Sequence, residues 1–265
     1  MIATLAQETD CTPQEMMRVT AARRLTNEDV CLVGIGEPSL ACNLARLTHA
    51  PRIKLIYESG TIDTKPEILP LSIGDGILCQ QALTTVSLPD IFQYWLQAGR
   101  ISVGFLGGAQ IDRFANLNTS VIGSYANPKV RLPGAGGAPE ISTGCEKVFI
   151  IMEMSPQRFV SRLDFRTTLG HGDGGDHRAR LGLHTTGPAA IITDLCMMEP
   201  DPETKELSVT HIHPGVEVDE IRKACGWPVK FHPRATPTPS PTATELAILR
   251  DLMKRTELAH RGEAE

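Results

Sequence analysis

The chain has 265 residues, 41% of them hydrophobic and 22% charged, which is enough apolar mass for a sizeable core and excludes the composition of a disordered chain. Its net charge is −5 and its 26 Lys and Arg are scattered, so it lacks the basic face with which a nucleic-acid binder neutralises phosphates. Seven Cys, at 11, 31, 42, 79, 145, 196 and 225, make no CxxC and no Cys–His spacing suited to zinc, so a reducing compartment is expected, with neither a disulfide framework nor a structural metal site.

The N-terminus "MIATLAQETDCTPQEMMRV" has no basic start followed by an apolar stretch, and no run reaches the roughly 18 apolar residues needed to cross a bilayer. A cytoplasmic chain without a membrane segment is expected. "PQEMMRVTAARRL" (13–25) carries helical spacing, with Thr12 as cap and Pro13 in the first turn. "DVCLVGIG" (29–36) reads as a strand closing on glycines, "PSLACNLARLTHA" (38–50) as a helix, and "IKLIYESG" (53–60) as a second buried strand. That is a β-α-β unit, the building block of a parallel sheet.

A helix follows at 88–99, then strands at 100–108 and 145–153, separated by the glycine-rich "RLPGAGGAPEIS" (131–142). Beyond residue 160 the periodicity weakens. "GHGDGGDHRARLG" (170–182) reads as loop, 189–199 and 206–214 as strands, and 216–227 as a short helix. "PRATPTPSP" (233–241) is expected to be extended and exposed, with a helix over about 243–258 behind it and a loose tail at "AHRGEAE". The chain is read as one α/β domain over 1–265, a layered, mostly parallel sheet flanked by helices.

In such a sheet, ligands bind outside the carboxyl ends of the strands. Glu58 is the first residue to leave the strand at 53–57, and the small Ser59 and Gly60 behind it are expected to let another molecule reach its carboxylate. The plainer reading makes Glu58 a solvated acid or an ion-pair partner. "PGAGGAPE" (133–140) frees the backbone to aim N–H groups at one point, as an anion or oxyanion site requires, or else is only a tight turn. No Lys-Ser/Thr follows it, which excludes a P-loop, and "GIGEPS" (34–39) lacks the third glycine of a dinucleotide fingerprint.

The His and Asp residues of "HGDGGDH" (171–177) lack a rigid element to fix metal geometry, so no metal is expected there. His211 and His213 of "THIHP" fall on one face of a strand, where packing is the simpler role. There is no Gly-x-Ser-x-Gly elbow and no Cys in a nucleophile turn, so acyl chemistry through Ser or Cys is not expected.

The ordered set "VGIGEPSLACNLARLTHAP" (33–51), "YESGTID" (57–63), "FLGGAQIDRFANLNTSVIG" (105–123), "RLPGAGGAPEIS" (131–142) and "GPAAIITD" (187–194) resembles the B subunits of family I CoA-transferases, of the glutaconate CoA-transferase type. The resemblance runs from about residue 13 to 250. It implies that Glu58, in the place of the E-S-G glutamate, is the nucleophile, and that Gly134, Gly136, Gly137 and Ala138 lie at the active site and hold the oxyanion. It implies a homologous A subunit, an A2B2 heterotetramer with the site at the A/B interface, and an acyl-CoA and a carboxylic acid as substrates. No tightly bound cofactor is implied; coenzyme A arrives as a substrate. Relatives on the same fold include a decarboxylase and a ring-opening hydrolase of CoA esters that replace this glutamate. A CoA-ester hydrolase or lyase, or a non-catalytic subunit, are therefore the alternatives.

Overall fold

The computed structural model describes residues 10–262. The first nine residues, part of the stretch read as lacking a leader, and the last three of the tail lie outside the described residues. The first half of the chain holds strands β1 (Val30–Leu32), β2 (Lys54–Ile56), β3 (Thr61–Ile62), β4 (Thr84–Thr85) and β5 (Val103–Leu106). Two small hairpins follow, β6 (Gln110–Ile111) with β7 (Leu117–Asn118), and β8 (Val121–Gly123) with β9 (Pro128–Arg131). The second half adds β10 (Lys147–Ile151), β11 (Gly187–Ile192), β12 (Cys196–Pro200), β13 (Leu207–Ile212) and β14 (Lys230–Pro237).

Ten of these strands make one sheet in the order β14-β13-β12-β11-β10-β5-β1-β2-β3-β4. The centre, from β2 through β1, β5 and β10 to β11, is parallel. The flanks turn back as antiparallel strands, except that β14 pairs with β13 in parallel. The chain leaves β1 for β2 on one side and returns to β5 on the other. The gap between β1 and β5 is therefore the switch point at which a parallel sheet opens a crevice.

Alternation along each strand divides the core between the two faces of the sheet. Cys31, Leu55, Tyr57, Phe149 and Ile151 pack with Met17, Val19, Leu44, Leu249 and Leu252 of helices α1 (Pro13–Ala22), α2 (Glu37–Leu47) and α3 (Ala243–Arg261). Their neighbours Leu32, Ile56, Val148 and Ile150 face the other way, against Ile91, Leu96, Ile141, Ile221 and Trp227. The result is three layers.

Several elements depart from the sequence reading. The segment 189–199 is two strands, because Thr193 Oγ1 accepts the N–H groups of Leu195 and Cys196 and folds a tight turn into a continuous apolar run. The helix expected at 88–99 begins as Leu88–Asp90, capped by Ser87 and Asp90, and then widens into a π-helix over Ile91–Leu96. The proline segment is extended and largely exposed, as expected, and its first part belongs to β14, an edge strand that tolerates proline. Helix α3, capped by Thr242 and Glu245, runs on to Arg261 and takes in Ala259–Arg261 of the stretch read as loose. Gly262, with φ 74°, ends it. Among the described residues no helix is long and apolar enough to cross a membrane.

Candidate active site

Strand β2 is anchored where it ends. Ile56 O accepts the N–H of Val33 at 2.9 Å, and the fully buried Tyr57 holds Ser39 Oγ of α2 through its hydroxyl at 2.8 Å. Gly60 N–H then closes on Tyr57 O at 3.0 Å and sends the chain back into β3. Glu58 stands at the start of that turn, outside the ladder but on a rigid base.

Gly60 does not serve the approach of a substrate, as the sequence suggested. It adopts φ 110°, and a Cβ there would lie 1.9 Å from Val86 O. Its task is to let the turn pack against the chain just beyond β4, where Val86 N–H donates to Gly60 O at 2.9 Å.

The glycine segment meets Glu58 from the other side. Gly134 (φ 109°) spends its N–H on Thr119 O at 2.9 Å, and Ala138 spends its own on Ala135 O at 3.1 Å. Gly136 (φ 50°) and Gly137 (φ −84°, ψ 4°) follow one another with φ of opposite sign, the arrangement that turns successive N–H groups to one side. Among the described residues neither N–H has an acceptor. A Cβ on Gly137 would stand 3.0 Å from Glu58 Oε1 and 2.7 Å from Phe92 Cζ. Of the four residues expected here, Gly136 and Gly137 therefore offer free donors, while Gly134 and Ala138 shape the turn.

Glu58 lies on the border of two grooves. One, of about 460 Å³, opens at the carboxyl ends of the central strands and is lined by Val33 and Gly34 after β1, Leu106 and Gly107 at the end of β5, and Gly136 and Gly137. It sits at the switch point. The second, of about 500 Å³, runs between Leu88, Phe92 and Gln97 on one side and Gly137 and Glu140 on the other. Both walls are largely apolar, and removal from water, followed by the nearby Glu140 carboxylate, pushes the Glu58 carboxyl above the ordinary glutamate range.

No hydrogen bond or ion pair holds the Glu58 carboxylate among the described residues. The ion-pair half of the plainer reading therefore does not describe it. The other acid of the first groove, Glu37, is spent in a bidentate pair with Arg18 at 2.7 Å for each contact. Phe92 and Glu140 escaped the sequence reading. Glu140 ends the quoted "PGAGGAPE", two residues past Ala138, but only the fold brings it towards Glu58.

The remaining sequence candidates lie elsewhere and are occupied by the fold. His171 is buried with Nε2 2.8 Å from Pro188 O, and His177 Nδ1 accepts the N–H of Asp173 at 2.8 Å, closing the glycine-rich loop on itself. His213 joins Thr193 O and Thr238 Oγ1, each at 2.8 Å, as a packing residue would, whereas the His211 ring lies 3.1 Å from Thr210 Oγ1, its one hydrogen-bond partner among the described residues.

A carboxylate held at the switch point of a doubly covered α/β sheet, beside a glycine turn with two free backbone N–H groups, is an arrangement that can serve covalent acyl chemistry. The chain belongs to the coenzyme A transferase family, whose profile matches residues 14–224. It is 57% identical over 246 residues to the B subunit of the 3-oxoadipate CoA-transferase of Pseudomonas knackmussii, covering 93% of this chain and 95% of that one. It is 32% identical over 253 residues to the B subunit of the glutaconate CoA-transferase of Acidaminococcus fermentans, covering 93% and 94%. The crystal structure of that glutaconate enzyme superposes with a TM-score of 0.86 at 30% identity, over 92% of this chain and 95% of that one. Within the family this chain is a B subunit, and CoA esters are its substrates.

Proposed function

We propose that the chain is the B subunit of a heteromeric, 3-oxoadipate-type CoA-transferase in which Glu58 is the nucleophile, with an A subunit completing the site in an A2B2 assembly in the cytoplasm. The single observation that carries the catalytic part is the Glu58 carboxylate itself: rigidly based, unpaired, drawn out of water, and set against Gly137. The substrate class rests on the 57% identity to one half of a 3-oxoadipate CoA-transferase.

The reaction follows from that placement. A Glu58 oxygen attacks the thioester carbonyl of an acyl-CoA; the C–S bond breaks, leaving a mixed anhydride and a CoA thiolate. The thiolate attacks the glutamyl carbonyl of the anhydride, which frees the first acid as its carboxylate and leaves a glutamyl-CoA thioester. The carboxylate of the acceptor acid then runs both steps in reverse. Each addition places negative charge on a former carbonyl oxygen, and the N–H groups of Gly136 and Gly137 are the candidate donors to it. The raised basicity of Glu58 helps a weak nucleophile, and the apolar walls limit the water that would hydrolyse the thioester.

The test uses the assembled enzyme. Incubation with an acyl-CoA and no acceptor should leave CoA on the peptide bearing Glu58, located by mass spectrometry and removable with hydroxylamine. Glu58→Ala and Glu58→Gln should abolish both adduct and transfer. Turnover that survives Glu58→Ala with no adduct in the wild type would instead favour a CoA-ester hydrolase or lyase. A panel of carboxylic acceptors should show preference for 3-oxo dicarboxylic acids over monocarboxylic ones.

A further inference from the structure

A CoA ester carries most of its charge far from the thioester, on an adenosine bearing a 3′-phosphate and a 5′-diphosphate. Neither groove beside Glu58 can receive that end, because their charged lining residues are Glu37, Glu58 and Glu140. Any cationic and aromatic site for it on this chain therefore lies away from those two grooves.

Such a site is present in the loops that follow β5 and β10. A cleft of about 540 Å³ is lined by Arg113, Arg162, Arg166, Phe114 and Phe165. Phe165 stacks on the exposed Tyr125 with ring centroids 5.1 Å apart, and the Arg131 guanidinium lies 4.9 Å over the Tyr125 ring. Among the described residues, Arg113, Arg131 and Arg162 meet no carboxylate, and Arg166 shares only the exposed Asp173, at 3.0 Å. The other acids of the cleft, Asp112 and Asp164, are taken up by backbone N–H groups and side-chain amides. Asp112 takes the N–H groups of Phe114 and Asn116 and the Asn116 amide, and Asp164 takes Gly123 N–H and the Gln110 amide.

We propose that this strip, from Arg131 and Tyr125 across Phe165 to Arg113 and Arg162, binds the phosphorylated adenosine end of the CoA ester. Guanidinium forks match phosphate oxygens, and stacked aromatic rings with an arginine above them match a purine. The connection to Glu58 is short on two paths. Gly107, in the reactive groove, is five residues before Asp112, and Gly136 is five residues after Arg131. Five residues span at most about 18 Å, and the pantetheine arm, with its two amide units, is an extended chain of similar reach. The inference rests on CoA esters being the substrates and is independent of the role of Glu58.

The experiment is done on the complex of both subunits. Adenosine 3′,5′-bisphosphate is titrated by calorimetry into Glu58→Ala enzyme, with and without Arg113→Ala/Arg162→Ala, so that binding is read without turnover. Affinity is expected to fall at least about tenfold, the scale of losing charge-assisted phosphate contacts. In enzyme with Glu58 intact, the ratio of kcat/KM for the CoA ester to that for the matching acyl-N-acetylcysteamine thioester, which lacks the nucleotide, should fall by a similar factor, and Tyr125→Ala should lower it as well. Unchanged bisphosphate affinity or an unchanged ratio overturns the proposal. So does weaker association with the A subunit at unaltered bisphosphate affinity, which would make these arginines a protein interface.

Discussion

The carboxylate of Glu58 and the α-carbon of Gly137 face each other so closely that a Cβ on Gly137 would stand 3.0 Å from Oε1 and 2.7 Å from the Phe92 ring. Gly137 has φ −84°, which any residue adopts, so its need for glycine is one of space. Gly137→Ala should therefore fold with near-normal stability yet lose transfer by at least about a hundredfold, the scale of one displaced oxyanion donor. Gly136 presents the opposite case, with no atom within 4 Å of a Cβ but φ +50°. Gly136→Ala should cost about 1–2 kcal/mol of stability, read by urea unfolding, and reduce activity less than Gly137→Ala. Equal activity in wild type and Gly137→Ala would make the segment only a turn.

Burial and Glu140 raise the Glu58 carboxyl above its ordinary value, so the folded chain favours the protonated form. That contribution to stability is full below the ordinary glutamate range and is lost as pH rises through the raised value. At pH 7 the charged carboxylate therefore weighs against the fold. Glu58→Gln should melt a few degrees higher than wild type at pH 7, and the difference should shrink as pH falls towards about 4. A variant less stable at pH 7 would mean that the carboxylate has a partner in solution.

Glu140 is an exposed contributor to that shift, second to burial. Removing its charge with Glu140→Gln lets Glu58 ionise more readily, so the acidic limb of the kcat/KM profile should move to lower pH. Added salt should move the wild-type limb in the same direction by screening the pair. A limb that responds to neither change is set by a group other than Glu58.

Gly60→Ala addresses the base of the site. With a Cβ 1.9 Å from Val86 O and φ 110°, the turn has to give way, and the bond from Val86 N–H to Gly60 O at 2.9 Å goes with it. A loss of about 1–3 kcal/mol is expected from the overlap, before backbone strain is added, together with loss of transfer as Glu58 moves. Full stability in this variant would show that the turn is free to relax away from β4.

The sequence by itself determined the parallel centre of the fold and the position of Glu58 at a strand's end. Apolar runs that close on glycine, alternating with helical spacing, leave few arrangements other than β-α-β, and the first polar residue after such a run must fall at a strand's carboxyl end; Glu58 was legible for that reason. The cap at Thr12 was legible too, because it satisfies the backbone N–H of Glu15, three residues ahead, through local chemistry alone. Tertiary structure decided what depends on distant neighbours. The turn at Thr193 splits one apolar run into β11 and β12 because each strand finds its own partner in the sheet. Gly60 is needed because Val86, 26 residues on, passes beside it. The division of the glycine segment into free donors at Gly136 and Gly137 and occupied ones at Gly134 and Ala138 rests in part on Thr119 coming close enough to accept a bond. The basicity of Glu58 likewise comes from walls and a second carboxylate that the fold assembles around it, since desolvation and Coulomb repulsion depend on separation in space and not along the chain.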